Sequence, residues 1–579
     1  MNRTRIILVS SIFFSGSALH SAEPAVFDRA ISLPGQSIWL RQLVKFKEQP
    51  SRDVRLAIVG EGVASVYVNG QRLARAVELE KSPVVWDITK LVRAGRNSVT
   101  LTFEGARKSK LIVELLGGDG KLPVDAWKSV INPPPVGWQQ TDFNDRDWKP
   151  VELVPSNTPS IDFKSARKLE WSKGGKTVRV VDGKLQFRNG DHVLLLGGTF
   201  IERAQSYGHL ESALNCSTTD SVTFRNLGWS ADTVFAESRG FFDSPEKGYE
   251  RMIEHVRAEE PNVILICYGQ NAVMEGAWDA DRFTRQLARL CTDLRTTDAE
   301  IVLLSPHPFL DVDRAYPSPA RWNDSLQEVA EAVKKVAASE RLHFVSLFDN
   351  FVQQLNGIQS ISMRSRLLGN LALNSELQQM EQDSWSDNGM HWTAEGYARV
   401  SRVVASRLLS GIAEPTELSV DLRASTVSAD SGEVRNVKWM KNAVQFDFKA
   451  ASVSPIPVFA KVIAPEFSGD LHLSSSLASP ALKKNLEDLP DGAPGEKGAF
   501  LNPEYERLRR LTVRKNELYF YRWRPQNITY LYGFRKHEQG NNASEIARFD
   551  PLISSLEKQI TSSKQPQWQT ITIAPQKGQ

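Results

Sequence analysis

Thr199 directly follows an unbroken apolar run at residues 193–196 and two glycines, Gly197 and Gly198, and a helical pattern is under way by Ile201. That is the pattern of a buried parallel strand turning sharply into a helix. The turn falls at the carboxyl end of the strand, where open α/β sheets bind their ligands. A hydroxyl there is well placed to act as a nucleophile. Gly228 and Asn271 occupy equivalent places after two further predicted strands, 222–226 and 263–267, and His391 stands just ahead of the last helical pattern of the region. A parallel sheet brings all four to one edge. Acyl transfer requires such a set: a hydroxyl, a base within hydrogen-bond reach, and donors where charge develops on a carbonyl oxygen. Taken singly, Asn271 and Gly228 are also ordinary turn residues, and His391 also reads as a capping or packing residue.

The elements that must position this set are legible from periodicity. Over 185–409, strands at 193–196, 222–226, 263–267, 301–305 and 344–347 alternate with helical stretches such as 246–257 and 281–294. This alternation predicts an α/β domain, a parallel sheet with helices on both faces. Ahead of it, 24–180 reads as all-β, with short strands at 55–59, 65–68 and 98–103 and Asn69-Gly70 as a hairpin turn. Behind it, 413–475 returns to alternating, strand-like sequence, a Pro/Gly-rich connector follows at 480–498, and helices are expected at 504–523 and 550–565. The expected spans are a leader at 1–22, a β-sandwich at 23–184, the α/β domain at 185–412, a small β module at 413–478, a linker at 479–500 and a helical arm at 501–579.

The chain has 579 residues, of which 41% are hydrophobic, which is too long for one core and rich enough for several. Arg3 and Arg5, an apolar run at 6–14 and small residues up to Ala22 read as a secretory leader, giving an exported protein, periplasmic or extracellular in a bacterium. The run is far shorter than the ~20 apolar residues of a spanning helix, and no later segment qualifies. Cys216, Cys267 and Cys291 are an odd set without metal-like spacing, so neither a disulfide framework nor a metal centre is expected; Cys267 reads as core. A net charge of +3 offers no general attraction to nucleic acid or anionic membrane.

Four blocks in order give the α/β region a family resemblance: GGTFIE at 197–202, NLGWSADTV at 226–234, YGQNAVMEG at 268–276 and DNGMHWTAEGY at 387–397. Together they resemble the SGNH, or GDSL-type, hydrolases over about 188–411. That resemblance implies a flavodoxin-like three-layer fold and ester hydrolysis without a metal or organic cofactor. It implies Thr199 as nucleophile, His391 as general base, and Gly228 N–H with the Asn271 side chain as oxyanion donors. Separately, SVYVNGQRLA, WDITKLVRAGRNSVTL and GWQQTDFNDRDW resemble galactose-binding-like jelly-roll modules, read either as sugar-binding units or as spacers. The substrate expected by this association is a small-molecule or polysaccharide ester carrying acyl or acetyl groups on a carbohydrate.

Two positions depart from the family pattern. The nucleophile is usually serine, and the methyl of Thr199 crowds attack and restricts χ1. The last block is usually Asp-x-x-His, but Asn388 stands three residues before His391 and Asp387 one further away. Asparagine orients a histidine without stabilising the imidazolium, and an Asp-to-Asn change of this kind in a serine protease costs about 10⁴ in rate. Asp387 reaching the ring from an altered loop is the alternative, and a site that binds without turnover is the competing functional reading. Glu202, Arg203 and Glu275 are either substrate contacts or solvated loop charges, and His209 and His307 read as surface or packing residues. The stretch YFYRWRPQNITYLYGFRKHEQGNN at 519–542 interleaves aromatics with basic residues as single-strand binders do, but expected export and the low net charge weigh against a nucleic acid. Arg524, Asn527, Arg535, His537, Glu538 and Asn541 are read either as lining the pocket from the arm or as an interdomain clamp.

Overall fold

The computed structural model describes residues 27–575 apart from 33–37, 51–53, 80–82, 105–109, 117–122, 132–133, 135–137, 159–166, 170–178, 275–277, 296–298, 313–316, 352–384, 413–415, 442, 465–470, 478–481 and 489–494. The expected leader and Glu275 fall outside the described residues. Two units make up the chain, one from residues 1–131 and 137–171, the other from 132–136 and 172–579.

The first unit holds two six-stranded β-sheets. Pairing is antiparallel throughout, except where Arg167–Leu169 runs parallel to Val84–Asp87. Alternation along the strands buries one face of each sheet, and Leu40, Phe46, Leu56, Trp86, Leu101 and Phe103 meet in a shared core. Asn69 and Gly70 take φ of 53° and 77° between Gly62–Val68 and Gln71–Leu79, the positive values that a two-residue hairpin turn requires. This is the expected all-β region. Its carboxyl boundary is shorter than the sequence suggested: Lys184–Gln186 lies in the second unit, where Leu185 bridges to Leu409.

The second unit is built on a five-stranded parallel sheet: β1 (His192–Gly197), β2 (Thr223–Asn226), β3 (Val263–Cys267), β4 (Glu300–Leu304) and β5 (His343–Val345). Its order is β2-β1-β3-β4-β5, the doubly wound flavodoxin-like order with its switch point between β1 and β3. Helices α1 (Thr199–Tyr207), α2 (His209–Asn215), α3 (Pro245–Glu259), α4 (Ala280–Leu294), α5 (Asn323–Glu340) and α6 (Ala394–Leu408) cover it. Two hydrophobic clusters result, one on each face of the sheet, because successive residues of β1 alternate between them: Leu194 and Leu196 in one, Val193 and Leu195 in the other. Burial on both faces explains why the run at 193–196 is continuously apolar.

The carboxyl-terminal region differs from expectation in two ways. Residues 479–500, expected as a linker, contain strands Leu482–Asn485, Glu487–Asp488 and Glu496–Leu501. These strands join two five-stranded sheets with others from 417–475, and Gln569–Pro575 completes one of them as its middle strand. The β module is therefore closed by the end of the chain, and a core containing Leu418, Phe446, Val462, Leu501 and Ile571 spans the break in sequence. Of the glycines in that stretch, Gly495 takes a φ of 86° in the turn leading into Glu496–Leu501.

The arm consists of α7 (Pro503–Trp523) and α8 (Phe549–Ser563), which pack on each other and against the β2 edge of the parallel sheet. Its contacts are charged and specific. Lys515, 0% exposed, gives its ammonium to Glu211 of α2 at 2.7 Å, the Phe224 carbonyl of β2 at 3.0 Å and Asn516 Oδ1 at 2.7 Å. Ser212 and Thr512 share a 3.2 Å hydrogen bond, and Arg225 of β2 pairs with Glu557 of α8.

Candidate active site

Gly197 ends β1 because nothing larger fits: a Cβ there would stand 2.3 Å from the Cys267 carbonyl and 2.6 Å from Ile201. The chain then turns into α1, whose first residue is Thr199. Thr199 Oγ1 accepts a hydrogen bond of 3.0 Å from the Ala231 backbone N–H. Ala231 lies in the loop after β2 at a φ of 61°, a left-handed conformation that turns its amide into the site.

That loop is held from several directions. The Trp229 N–H donates to the Gly197 carbonyl at 3.0 Å, and the Ser230 N–H donates to the Glu202 carboxylate. The Asp232 carboxylate, fully buried, accepts from Arg239 at 2.8 Å and from the Tyr268 hydroxyl at 3.1 Å, so its charge is compensated inside the protein. The Asp232 carbonyl accepts from Asn271 Nδ2 at 3.1 Å. Asn271, in a short turn after β3, thereby stands beside Gly198 and leaves its second amide proton uncommitted to that bond.

Gly228 is a correction to the sequence reading. Its N–H donates to Asn226 Oδ1 at 2.8 Å in the interior and is not the amide that meets Thr199. A glycine is needed at 228 because a Cβ would lie 2.3 Å from Glu202 N, in the first turn of α1. The Gly228→Ala variant is expected to lose about 1–3 kcal/mol by overpacking, and to lose it equally in a Thr199→Ala background. Urea unfolding of the two pairs measures this.

His391 lies in a tight turn ahead of α6. Its carbonyl accepts from Ser386 Oγ at 2.7 Å and from the Asp387 N–H at 3.3 Å. Asn388 Oδ1 accepts from the N–H groups of Met390 at 3.1 Å and His391 at 2.8 Å, and Asn388 Nδ2 lies 3.1 Å from His391 Nδ1. Asp387 is exposed, and among the described contacts its carboxylate makes no hydrogen bond to the imidazole. Between the two residues weighed for that place, the neighbour of the ring is Asn388. Burial, reinforced by the Arg203 guanidinium and opposed by Asp387, lowers the His391 pKa below its usual range. That direction favours the neutral ring.

His307 joins the two halves of the site. It is buried, and the rings of Phe200 and Trp392, the residues following Thr199 and His391, pack edge-on against it at 5.3 and 4.7 Å. The Tyr397 hydroxyl of α6 adds a 2.7 Å hydrogen bond to the Phe200 carbonyl. The sequence left His307 as a surface or packing residue; it is buried, and nothing in its local sequence indicates that it underlies both turns.

Residues 190–399 match the model of the GDSL-like lipase/acylhydrolase family. This segment is a GDSL-like lipase/acylhydrolase domain. The match contains all four blocks and the whole parallel sheet of the GDSL domain. Comparison with curated proteins finds no match. Among solved structures, the chain is similar to a gut microbial diltiazem-metabolizing enzyme at 13% identity, with a TM-score of 0.43 and coverage of 69% of this chain and 99% of that one. It is also similar to an acetylxylan esterase from Geobacillus stearothermophilus at 14% identity, with a TM-score of 0.27 and coverage of 40% and 99%. A GDSL-like lipase from Bacteroides thetaiotaomicron is similar at 17% identity, with a TM-score of 0.24 and coverage of 37% and 86%.

Of the six arm residues singled out from the sequence, Arg524 is the one that reaches the site loops of the GDSL domain, beside Trp523, whose ring packs against Trp229 at 5.8 Å. The Arg524 guanidinium lies 3.5 Å from the Trp229 ring centroid and 3.3 Å from the Glu202 carboxylate. The other arm residues have their partners within the arm: Asn527 donates to Gln539 at 2.8 Å, Arg535 binds Glu538 and the Tyr530 hydroxyl, and His537 lies 3.7 Å from Glu538. Asn541 lies in the single turn Gly540–Asn542. The structure thus brings Arg524 to Glu202 and keeps Asn527, Arg535, His537 and Glu538 in contacts within the arm. Among the described residues, no group of three or more His, Cys, Asp or Glu side chains is placed to hold a metal ion, and no helix is long and apolar enough to cross a membrane.

Proposed function

We propose that the protein hydrolyses acyl or acetyl esters of carbohydrate-like substrates, with Thr199 as nucleophile and His391 as general base. The observation that carries this reading is the Ala231 N–H held 3.0 Å from Thr199 Oγ1 by a braced loop, with the Asn271 amide beside the same turn. Donors fixed around a nucleophilic hydroxyl are what acyl transfer requires. In the proposed reaction Thr199 Oγ1 forms a bond to the ester carbonyl carbon, and its proton passes to His391 Nε2. The carbonyl electron pair moves to oxygen, where Ala231 N–H and Asn271 Nδ2 donate. Collapse breaks the bond to the alcohol oxygen, which takes the proton back from His391. Water then releases the acyl group from Thr199 by the same steps.

The carbohydrate part of the reading draws on the sequence resemblance of the amino-terminal module, and export draws on residues 1–22. Glu202 and Arg524, paired beside Trp229, are the residues proposed to meet the alcohol portion of the substrate. A second reading, a GDSL-fold glycan-binding protein without turnover, is favoured by the asparagine amide beside His391 Nδ1. Hydrolysis of p-nitrophenyl acetate and acetylated xylan separates the two. The hydrolase reading expects turnover, a faster Thr199→Ser variant, and an acid limb of kcat/KM below the ordinary histidine pKa of about 6.5. That limb follows from the lowered His391 pKa: the base is lost only as pH falls through a value below the usual one. Binding of xylan fragments with no release of acetate by either wild type or Thr199→Ser would replace it with the second reading.

A further inference from the structure

We propose that Asn388 holds His391 in the neutral tautomer whose proton sits on Nε2, so that the base of the site is kept in its unproductive form. The inference rests on the reading of His391 as general base. Its first step is the orientation of the asparagine amide. Asn388 Oδ1 accepts from two backbone donors, Met390 N–H at 3.1 Å and His391 N–H at 2.8 Å, which close the turn around Gly389. Reversing the amide would set an NH₂ group against those two N–H groups, so the oxygen faces the turn and the nitrogen faces the ring.

The second step follows from the chemistry of that nitrogen. Nδ2 donates and does not accept, and it lies 3.1 Å from His391 Nδ1. Nδ1 is therefore the acceptor, and the single proton of the neutral ring is on Nε2. A general base that takes the Thr199 proton through Nε2 needs the opposite arrangement. The imidazolium formed during attack is disfavoured as well, because it would place an Nδ1–H against the amide protons. Elsewhere in the domain His307 shows the other outcome: the Pro308 carbonyl, 2.8 Å from its Nδ1, can only accept, which puts the proton there and leaves Nε2 to accept from Gln270.

Asn388→Asp is the informative variant because a carboxylate keeps the acceptor that closes the turn and replaces the donor at Nδ1 with a second acceptor. The full chain, labelled with ¹⁵N histidine, is examined by long-range ¹H–¹⁵N correlation at neutral pH, with His391→Gln used to assign the His391 signals. The expected wild-type pattern is a proton on Nε2, changing to a proton on Nδ1 in Asn388→Asp, with kcat on p-nitrophenyl acetate raised at least about a hundredfold. A proton on Nδ1 in wild type would overturn the proposal, as would the same tautomer in both proteins. A change of tautomer with no hydrolysis in either protein would uphold the role of Asn388 and remove the hydrolase reading on which its effect on rate depends.

Discussion

Thr199→Ala is expected to lower the esterase rate about a hundredfold in the native chain and roughly a million-fold in the Asn388→Asp chain. The disparity comes from how a nucleophile, its base and the orienting residue act as one unit. In a serine protease, removing the nucleophile or the histidine costs about 2 × 10⁶ in kcat, whereas removing the orienting carboxylate alone costs about 3 × 10⁴. A chain that carries an amide in place of the carboxylate starts with most of that loss already present, so only the remaining factor is left for Thr199 to account for. Restoring the carboxylate restores the full dependence. The measurement is a four-member cycle of wild type, Thr199→Ala, Asn388→Asp and the double variant, with p-nitrophenyl acetate and single-turnover detection of the slow members. Effects of equal size in both backgrounds would mean that Asn388 and Thr199 act independently, which the proposed proton path does not allow.

Lys515→Ala is expected to destabilise the protein by about 3–5 kcal/mol, the cost of leaving a buried carboxylate without its partner. The Lys515 ammonium and the Glu211 carboxylate are 1% and 3% exposed, and the ammonium has three acceptors spread over α2, β2 and its own helix. Without the lysine, Glu211 would remain ionised in the interior or bind a proton, and either is unfavourable. Replacing both residues together, as Lys515→Met with Glu211→Leu, is expected to recover most of the loss, because an apolar pair of similar volume needs no desolvated charge. Urea unfolding of the two single variants and the double variant tests this, and a double variant no better than Lys515→Ala would refute it. Since Glu211 lies on α2, which follows α1 directly, loss of the pair also loosens the layer that carries Thr199. The arm is thus a structural part of the GDSL unit, and Arg524 at the end of α7 is the place where it meets the site loops.

Much of the fold was legible because its signals are local. A strand buried on both faces must be continuously apolar, so 193–196 and 263–267 marked β1 and β3 within a residue or two. An amphipathic helix must repeat its apolar residues near every fourth position, which located α3 and α4. Asn69-Gly70 announced its turn because few other pairs tolerate two positive φ values. Thr199 and Asn271 were legible as neighbours for a related reason, since the carboxyl ends of β1 and β3 lie side by side on one edge of the parallel sheet by topology alone.

The amide facing Thr199 was not legible. A glycine marks either an exposed amide or a close approach, and at 228 the reason is close approach to Glu202. Ala231 carried no sign of its role, because alanine seldom adopts a positive φ and only the surrounding hydrogen bonds hold it there. The packing partners of the arm and the closing strand Gln569–Pro575 were equally hidden, since those partners are distant in sequence.

The sequence by itself determined the α/β alternation, the edge at which the site forms, and the presence of threonine and asparagine where the family pattern has serine and aspartate. Only the tertiary structure decided which backbone N–H meets Thr199, what the arm rests on, and which end of the Asn388 amide faces His391. The reason is physical: periodicity and composition record what each residue needs from water and from its immediate neighbours. The orientation of a donor and the partner of a buried charge are set by groups that only folding brings together.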